Sequence, residues 1–432
     1  MQNGKVILFL QGPHSTFFAR LANRLEQLGH TCLRINLSFS DWLFWRRSGA
    51  WNYRGNLKKW SAYLDEFYDR HGVTDIVLLG EQREHHRIAI ELAKLRGIQI
   101  SVTDWGYLRP DWLTFERDGM SGSTHFTKDP AEILRLGEEA PEPDFSLKYP
   151  ESFARLGFCN VCGDVGNWLF GLLYPGYRSH LLDNPAVGYI STGLRMLRAK
   201  RRESSTRKTI REFVARAAEQ PFFVFPLQME GDFQIRAYSR YSDLYTAIYE
   251  VLDSFARGAD ASDKLVVKLH PWDTGLRPWR KISMALARKF GVASRVEFLD
   301  GGSLDELLSA AKGMVTINST SGMGALRLGV PVRVLGECVY DVPGLTAQCP
   351  LDSFWRNPPA PDAALRDAFV RAMADCIQIK GGFFSQKGLD AAVAVAAERL
   401  SNGLINQPLR PVKPPVRTHE FGPLGEQAIA TA

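Results

Sequence analysis

The chain has 432 residues, enough for two or three domains, and its 45% hydrophobic and 23% charged content excludes wholesale disorder. Lys plus Arg is 53 against 47 for Asp plus Glu; the resulting +6 is too small to mark a nucleic-acid partner, and none is expected. No run of about 18 apolar residues occurs, so no transmembrane helix is expected.

The first half alternates strands and helices. Val6–Leu10 is apolar, too short for a signal-peptide core, and predicts a strand. Phe17–Leu28 has helical spacing and stops at Gly29. Thr31–Leu37 predicts a second strand and Leu57–Tyr68 an amphipathic helix. Asp75–Leu79 predicts a third strand, Arg87–Leu95 a helix and Ile98–Val102 a fourth strand. This order implies a parallel, doubly wound sheet, with ligands at the C-terminal strand ends. Those ends carry Gln11-Gly12-Pro13-His14, Gly80-Glu81-Gln82-Arg83 and Asp104-Trp105-Gly106.

Residues 118–215 read as an irregular or helical insertion. They hold an aromatic segment (Trp168, Phe170, Tyr174, Tyr177) and a basic run (Arg195, Arg198, Lys200, Arg201, Arg202, Arg207, Lys208). Such a segment suits an anionic membrane surface; its ordinary reading is a solvated helix face.

The alternation then restarts. Phe222–Phe225, Lys264–Leu269, Val296–Leu299, Met314–Ile317 and Val332–Leu335 predict strands. Tyr238–Phe255, Trp279–Phe290, Leu304–Ala311 and Gly322–Leu328 predict helices. Helices follow at 362–378 and 388–400, then a Pro-rich tail, Gln407–Pro415. The expected division is an N-terminal Rossmann-like acceptor and catalytic domain (1–117), the insertion (118–215), a C-terminal Rossmann-like sugar-nucleotide domain (216–385), and a terminal helix with its tail (386–432). Two such domains facing across a cleft form the architecture called GT-B, an α/β class that does not by itself fix a function.

The absent motifs are informative. No phosphate-binding P-loop and no G-x-G-x-x-G follows a strand, and no Asp-x-Asp offers a carboxylate pair for a metal. A phosphate would then be held by His, Lys, Arg, hydroxyls and helix starts. Asn318-Ser319-Thr320-Ser321-Gly322 follows a strand and opens a helix, which suits a phosphate or plain capping. Lys268-Leu269-His270-Pro271 ends another strand, where an imidazolium could hold or protonate a leaving phosphate. Asp104, with Gly106 and Arg109 following, could serve acid/base or nucleophilic chemistry; an Asx-turn and a surface pair would explain the same pattern. The six cysteines are scattered, and Cys159-Asn160-Val161-Cys162 lacks the second pair that a zinc site needs.

Together, Gln11-Gly12-Pro13-His14 with Phe17-Phe18, Gly106–Trp112, Phe225–Gln228 with Asp232–Arg236, Lys268–Pro271 and Tyr340–Thr346 resemble the capsule polysaccharide biosynthesis/export family of the KpsS/LipB type. The resemblance spans about residues 5–400. It implies a single-module, retaining, metal-independent β-Kdo glycosyltransferase. The donor would be CMP-β-Kdo, with no other cofactor. The acceptor would be phosphatidylglycerol or lysophosphatidylglycerol, beginning the poly-Kdo linker of a capsular polysaccharide. It implies a cytoplasmic protein, peripheral on the inner face of the bacterial inner membrane, with other capsule biosynthesis and export proteins as partners. Carried over residue by residue, it places Asp104, His270 and Arg109 in catalysis. Gln11, Gly12, His14, Gly106, Gln228, Lys268, Pro271, Ser319, Thr320 and Ser321 fall in substrate and nucleotide binding. Asp104 is the first choice of nucleophile, with Glu81, Asp111 and Asp232 as alternates. The competing readings are another CMP-sugar transferase of capsule synthesis and a non-catalytic capsule assembly subunit.

Overall fold

Short apolar runs buried on both faces make central parallel strands, and here they assemble into two sheets. A computed structural model describes residues 4–179 and 183–406. In the first half it contains β1 (Val6–Phe9), β2 (Thr31–Asn36), β3 (Ala50–Asn52), β4 (Asp75–Leu79), β5 (Gln99–Trp105) and β6 (Trp112–Arg117). The second half adds β7 (Phe222–Pro226), β8 (Lys264–Lys268), β9 (Val296–Leu299), β10 (Gly313–Thr316) and β11 (Val332–Val334), and then β12 (Gln378–Lys380).

The first sheet runs β3-β2-β1-β4-β5-β6-β12. β1 to β5 are parallel; β6 is antiparallel to β5, and β12 to β6. The second sheet runs β9-β8-β7-β10-β11 and is parallel throughout. In both, the chain winds outward one way from the first strand and then resumes on its other side. That doubly wound order creates a switch point, at β1/β4 in one sheet and β7/β10 in the other, where ligands bind beyond the carboxyl ends of such sheets.

The chain divides into two compact units. The first takes residues up to Thr127, Glu139–Pro185 and the segment from Val370; the second takes Lys128–Glu138 and Ala186–Phe369. The chain thus returns to the first unit at Val370, ahead of the expected boundary at 385. The reason is hydrophobic. Ile379 on β12 and Leu389, Ala392, Ala396 and Leu400 on the helix Gln386–Asn402 are buried in one core with Ile7, Phe9, Phe17 and Leu113. Nor is 118–215 a separate body: its residues divide between the two units, and it is mostly helical (Phe153–Leu169, Pro185–Arg201, Glu203–Ala215). The second core gathers Phe223, Val251, Phe255, Val267 and Trp355.

Several expected elements change in detail. The helix expected over Tyr238–Phe255 is two, Phe233–Tyr238 and Leu244–Gly258, and Asp243 caps the second by accepting from Thr246 N at 2.8 Å. A helix at Phe39–Trp45, closed by a capping box between Ser38 and Asp41, was not legible from periodicity. The Pro-rich Gln407–Pro415 lies outside the described residues. Among the described residues, no helix is long and apolar enough to cross a membrane.

Candidate functional site

In the first unit the strand ends meet around the β1/β4 switch point. Gln11 is buried just beyond β1, and its Nε2 donates to Ser38 Oγ at 3.3 Å and Tyr177 OH at 3.1 Å. Gly12 has no room for a side chain, because a Cβ there would lie 2.5 Å from the Phe18 ring. His14 stacks on Phe44 at 5.8 Å and faces Asp164 at 3.9 Å, and burial holds its pKa below the ordinary value. The helix Phe153–Leu169 packs closely against it: a Cβ on Gly163 would strike the imidazole.

Asp104 lies one strand further, at the end of β5, and is partly exposed. Its Oδ1 accepts from Trp105 N at 2.7 Å. Gly80 adopts a left-handed φ of 61° at the end of β4, and a Cβ on it would lie 3.6 Å from Asp104 Oδ2. The turn after β4 therefore abuts this carboxylate. Trp105 is packing, not chemistry: it stacks on Phe384 at 5.7 Å and meets Phe383 edge-on. The exposed Arg109 guanidinium lies over the Trp105 ring at 5.7 Å. Gly106 donates its N–H to Trp112 O at 2.9 Å, and a Cβ there would lie 2.5 Å from that oxygen.

Two of the alternate carboxylates have structural work. Asp111 Oδ1 accepts from Lys380 Nζ at 2.7 Å, while Oδ2 accepts from Lys148 N and Tyr149 N at 2.9 Å each. Asp232 caps the helix Phe233–Tyr238 by accepting from Gln234 N at 2.9 Å. Glu81 is buried beyond β4.

A carboxyl that periodicity did not single out lies beneath the Gly106–Asp111 loop. Glu116 on β6 is fully buried; Tyr107 OH donates to it at 2.7 Å, and the Thr124 hydroxyl bonds its other oxygen. Burial pushes its pKa up to about 8, with nearby Glu81 adding to the rise and the two hydroxyl bonds opposing it. The folded chain therefore keeps a proton that an unfolded Glu loses above about pH 4.5. Stability from this group is full below that value and drains away as pH rises through 8. Glu116→Gln should flatten the stability loss between pH 5 and 8, by on the order of 2 kcal/mol or more. Urea midpoints of the two proteins at both pH values measure it, and parallel pH profiles would refute it.

In the second unit the switch point is bridged by a side-chain pair. Gln228, beyond β7, donates to Asn318 Oδ1 at 2.9 Å, and Asn318 N donates back to Gln228 Oε1 at 3.1 Å. Asn318 Nδ2 also donates to Gln234 O at 2.7 Å. This fixes the start of the hydroxyl-rich turn. Ser319 Oγ accepts from Ser321 N at 3.2 Å and Ser321 Oγ at 2.9 Å, and Tyr340 OH donates to Ser319 O. Thr320 is exposed and makes no side-chain capping bond, so plain capping does not account for it. Arg236 Nε is buried without a hydrogen-bond partner among the described residues.

The neighbouring strand β8 ends in Lys268, which is buried, followed by His270 and Pro271. Burial lowers the Lys268 pKa, with Asp300 opposing and Arg195 adding. His270 Nδ1 accepts from Trp272 N at 3.1 Å, which leaves its proton on Nε2. Burial, then Lys268 and Arg195, pushes its pKa down to about 4. Without a bound anion His270 is thus a neutral Nε2–H donor at neutral pH, not the imidazolium expected from the sequence.

Arg195 is the residue sequence reasoning misplaced. Expected on a membrane-facing basic run, it is buried. Its Nε donates to Asp273 O at 2.8 Å, its other nitrogens hold Pro271 O and Asp300, and it thereby fixes the His270-Pro271 loop. Tyr174 is likewise buried and donates to Asn52 Oδ1 at 2.8 Å, and Tyr177 holds Gln11; of the four aromatics only Trp168 and Phe170 are largely exposed. Among the described residues no cluster of His, Cys, Asp and Glu has the arrangement of a metal centre.

Two doubly wound sheets, one parallel throughout and one parallel over β1 to β5, each with polar side chains gathered beyond its switch point, define a two-unit α/β protein of Rossmann type. The chain belongs to the capsule polysaccharide biosynthesis family, whose model matches residues 74–384. It is 31% identical over 367 residues to the capsule polysaccharide export protein KpsS of Escherichia coli, covering 85% of this chain and 94% of that one. It is 29% identical over 394 residues to the capsule polysaccharide modification protein LipB of Neisseria meningitidis, covering 89% and 93%. Among solved structures it resembles the β-Kdo 2,7-transferase KpsC of Thermosulfurimonas dismutans, at 16% identity and a TM-score of 0.44 over 92% of this chain and 99% of that one.

Proposed function

We propose that this chain is a retaining, metal-independent β-Kdo glycosyltransferase of capsule synthesis. It would move Kdo from CMP-β-Kdo to phosphatidylglycerol or lysophosphatidylglycerol and so begin a poly-Kdo linker, working at the cytoplasmic face of the inner membrane. Family membership and the capsule-related names of its relatives support the capsule role. The observation that carries the chemistry is the second unit's strand-end set: Lys268 ends β8 and His270 follows it, the Ser319–Ser321 turn follows β10, and these two strands flank β7 on either side. Cation, neutral imidazole N–H and hydroxyls suit a phosphate without a metal.

In the proposed reaction an Asp104 oxygen attacks the anomeric carbon. The bond from that carbon to the CMP phosphate oxygen breaks, and CMP departs with the electron pair. The acceptor hydroxyl then attacks the same carbon, losing its proton to a base, and the Asp104 carboxylate is released; two inversions give retention. Arg109 would hold the sugar's own carboxylate. His270 Nε2–H and Lys268 would stabilise the charge that develops on the departing phosphate.

The test incubates the purified full chain with CMP-Kdo generated in situ and a phosphatidylglycerol acceptor, read by mass spectrometry. One added Kdo on the lipid is expected, and an acceptor of unchanged mass would end the proposal. In the same assay His270→Ala should cost roughly 10²–10³-fold in rate, the usual loss for one preorganised donor to a developing anion. An undiminished rate in a folded variant would remove His270 from the mechanism.

A further inference from the structure

Helices of globular proteins turn apolar residues inward, and the helix Pro185–Arg201 does the reverse. Val187, Ile190, Leu194 and Leu197 recur at three- and four-residue steps, so they share one face. They are 52%, 66%, 50% and 59% exposed, respectively. The opposite face carries Gly188, Thr192 and Arg195, and these are the buried ones. Thr192 Oγ1 donates to Gly188 O at 2.8 Å, and a Cβ on Gly188 would already lie 3.8 Å from Thr274. Small and polar residues thus seat the helix, while these four apolar side chains stay exposed.

Exposed Asp183 precedes the helix, but the charges that follow the stripe along the helix are of one sign. Arg198, Lys200, Arg201 and the following Arg202 are all exposed, and the helix itself contains no acidic residue. The next carboxylate, Glu203, is paired with Arg207. An apolar stripe that runs into a cluster of exposed cations is complementary to a surface that is apolar below and anionic above.

We infer that the helix Pro185–Arg201 is a lipid-docking helix, lying in the interface of an anionic bilayer with Val187, Ile190, Leu194 and Leu197 among the acyl chains and its cations among the headgroups. The inference deepens the proposed function, on which it rests for the reason a bilayer should be met at all. Arg195 gives it a consequence. The residue that seats the docking helix is the one that holds Pro271 O and Asp273 O, so helix and His270 loop form one piece within the second unit.

The experiment is vesicle flotation of the full chain, with phosphatidylglycerol-containing and pure phosphatidylcholine vesicles. Wild type should bind the anionic vesicles, less tightly as salt rises. The exposed double variant Ile190→Gln/Leu194→Gln should fold normally and bind at least roughly tenfold more weakly. Arg198→Ala/Arg201→Ala should lose the preference for phosphatidylglycerol. Wild-type binding by the Gln variant would overturn the inference. So would self-association that the Gln variant abolishes while vesicle binding persists, since the stripe would then cover a second copy. Transfer to a water-soluble short-chain acceptor separates the two proposals: its absence, with vesicle binding intact, counts against the activity alone. Unchanged turnover on that acceptor by the Gln variant is the expected result.

Discussion

Asp104→Asn is expected to lower Kdo transfer by at least roughly 10³-fold while the chain stays folded. Asn has nearly the shape of Asp, and its side-chain oxygen can still accept from Trp105 N, so the turn at the end of β5 has no reason to move. What is lost is an anionic oxygen able to bond the anomeric carbon. Asp111 cannot substitute without giving up Lys380 and two backbone N–H groups, and Asp232 is spent on a helix cap. Glu81 remains the alternate, and Glu81→Gln in parallel tells the two apart. Initial rates with CMP-Kdo, beside a circular dichroism spectrum matching wild type, make the measurement. A folded Asp104→Asn protein turning over at the wild-type rate would disqualify this carboxylate.

Asp41→Ala should destabilise the first unit by about 3–5 kcal/mol, the usual cost of stripping one partner from a buried ion pair. Arg34 and Asp41 are 3% and 2% exposed and meet at 2.7 Å. Asp41 Oδ2 also accepts from Leu37 N, Ser38 N and Ser38 Oγ, which closes the capping box of the helix Phe39–Trp45. Arg34 in turn donates to Leu10 O at 2.5 Å, immediately before Gln11. The pair therefore pins the end of β1 at the switch point. Removing both charges together, as Arg34→Met with Asp41→Leu, should recover much of the loss because no buried charge is then stranded. Urea unfolding of the three proteins decides it. A single variant as stable as wild type would show that the pair is not what holds this corner.

Much of the candidate site was legible because strand ends announce themselves. Asp104, His270 and Ser319–Ser321 each follow a run of β-prone apolar residues, and each lies at the C-terminal edge of a parallel strand in the structure. Glu116 was not legible, since one acid on an edge-side strand is unremarkable until its burial beneath the Tyr107 loop is known. Arg195 looks like the first of a solvated run because six further basic residues follow it by Lys208, and only packing separates the buried cation from the exposed ones.

By itself the sequence determined the α/β alternation, most of the strands and the polar residues that end them, because periodicity and breakers act over a few residues. Tertiary structure decided everything that depends on distant partners. It set the strand order that makes β1/β4 and β7/β10 the switch points, and it brought β12 and the last helix back to the first sheet, where their apolar faces find a core. It also decided which face of Pro185–Arg201 is buried. There a single guanidinium satisfying two carbonyls and a carboxylate seats the helix, and four apolar side chains are left facing outward.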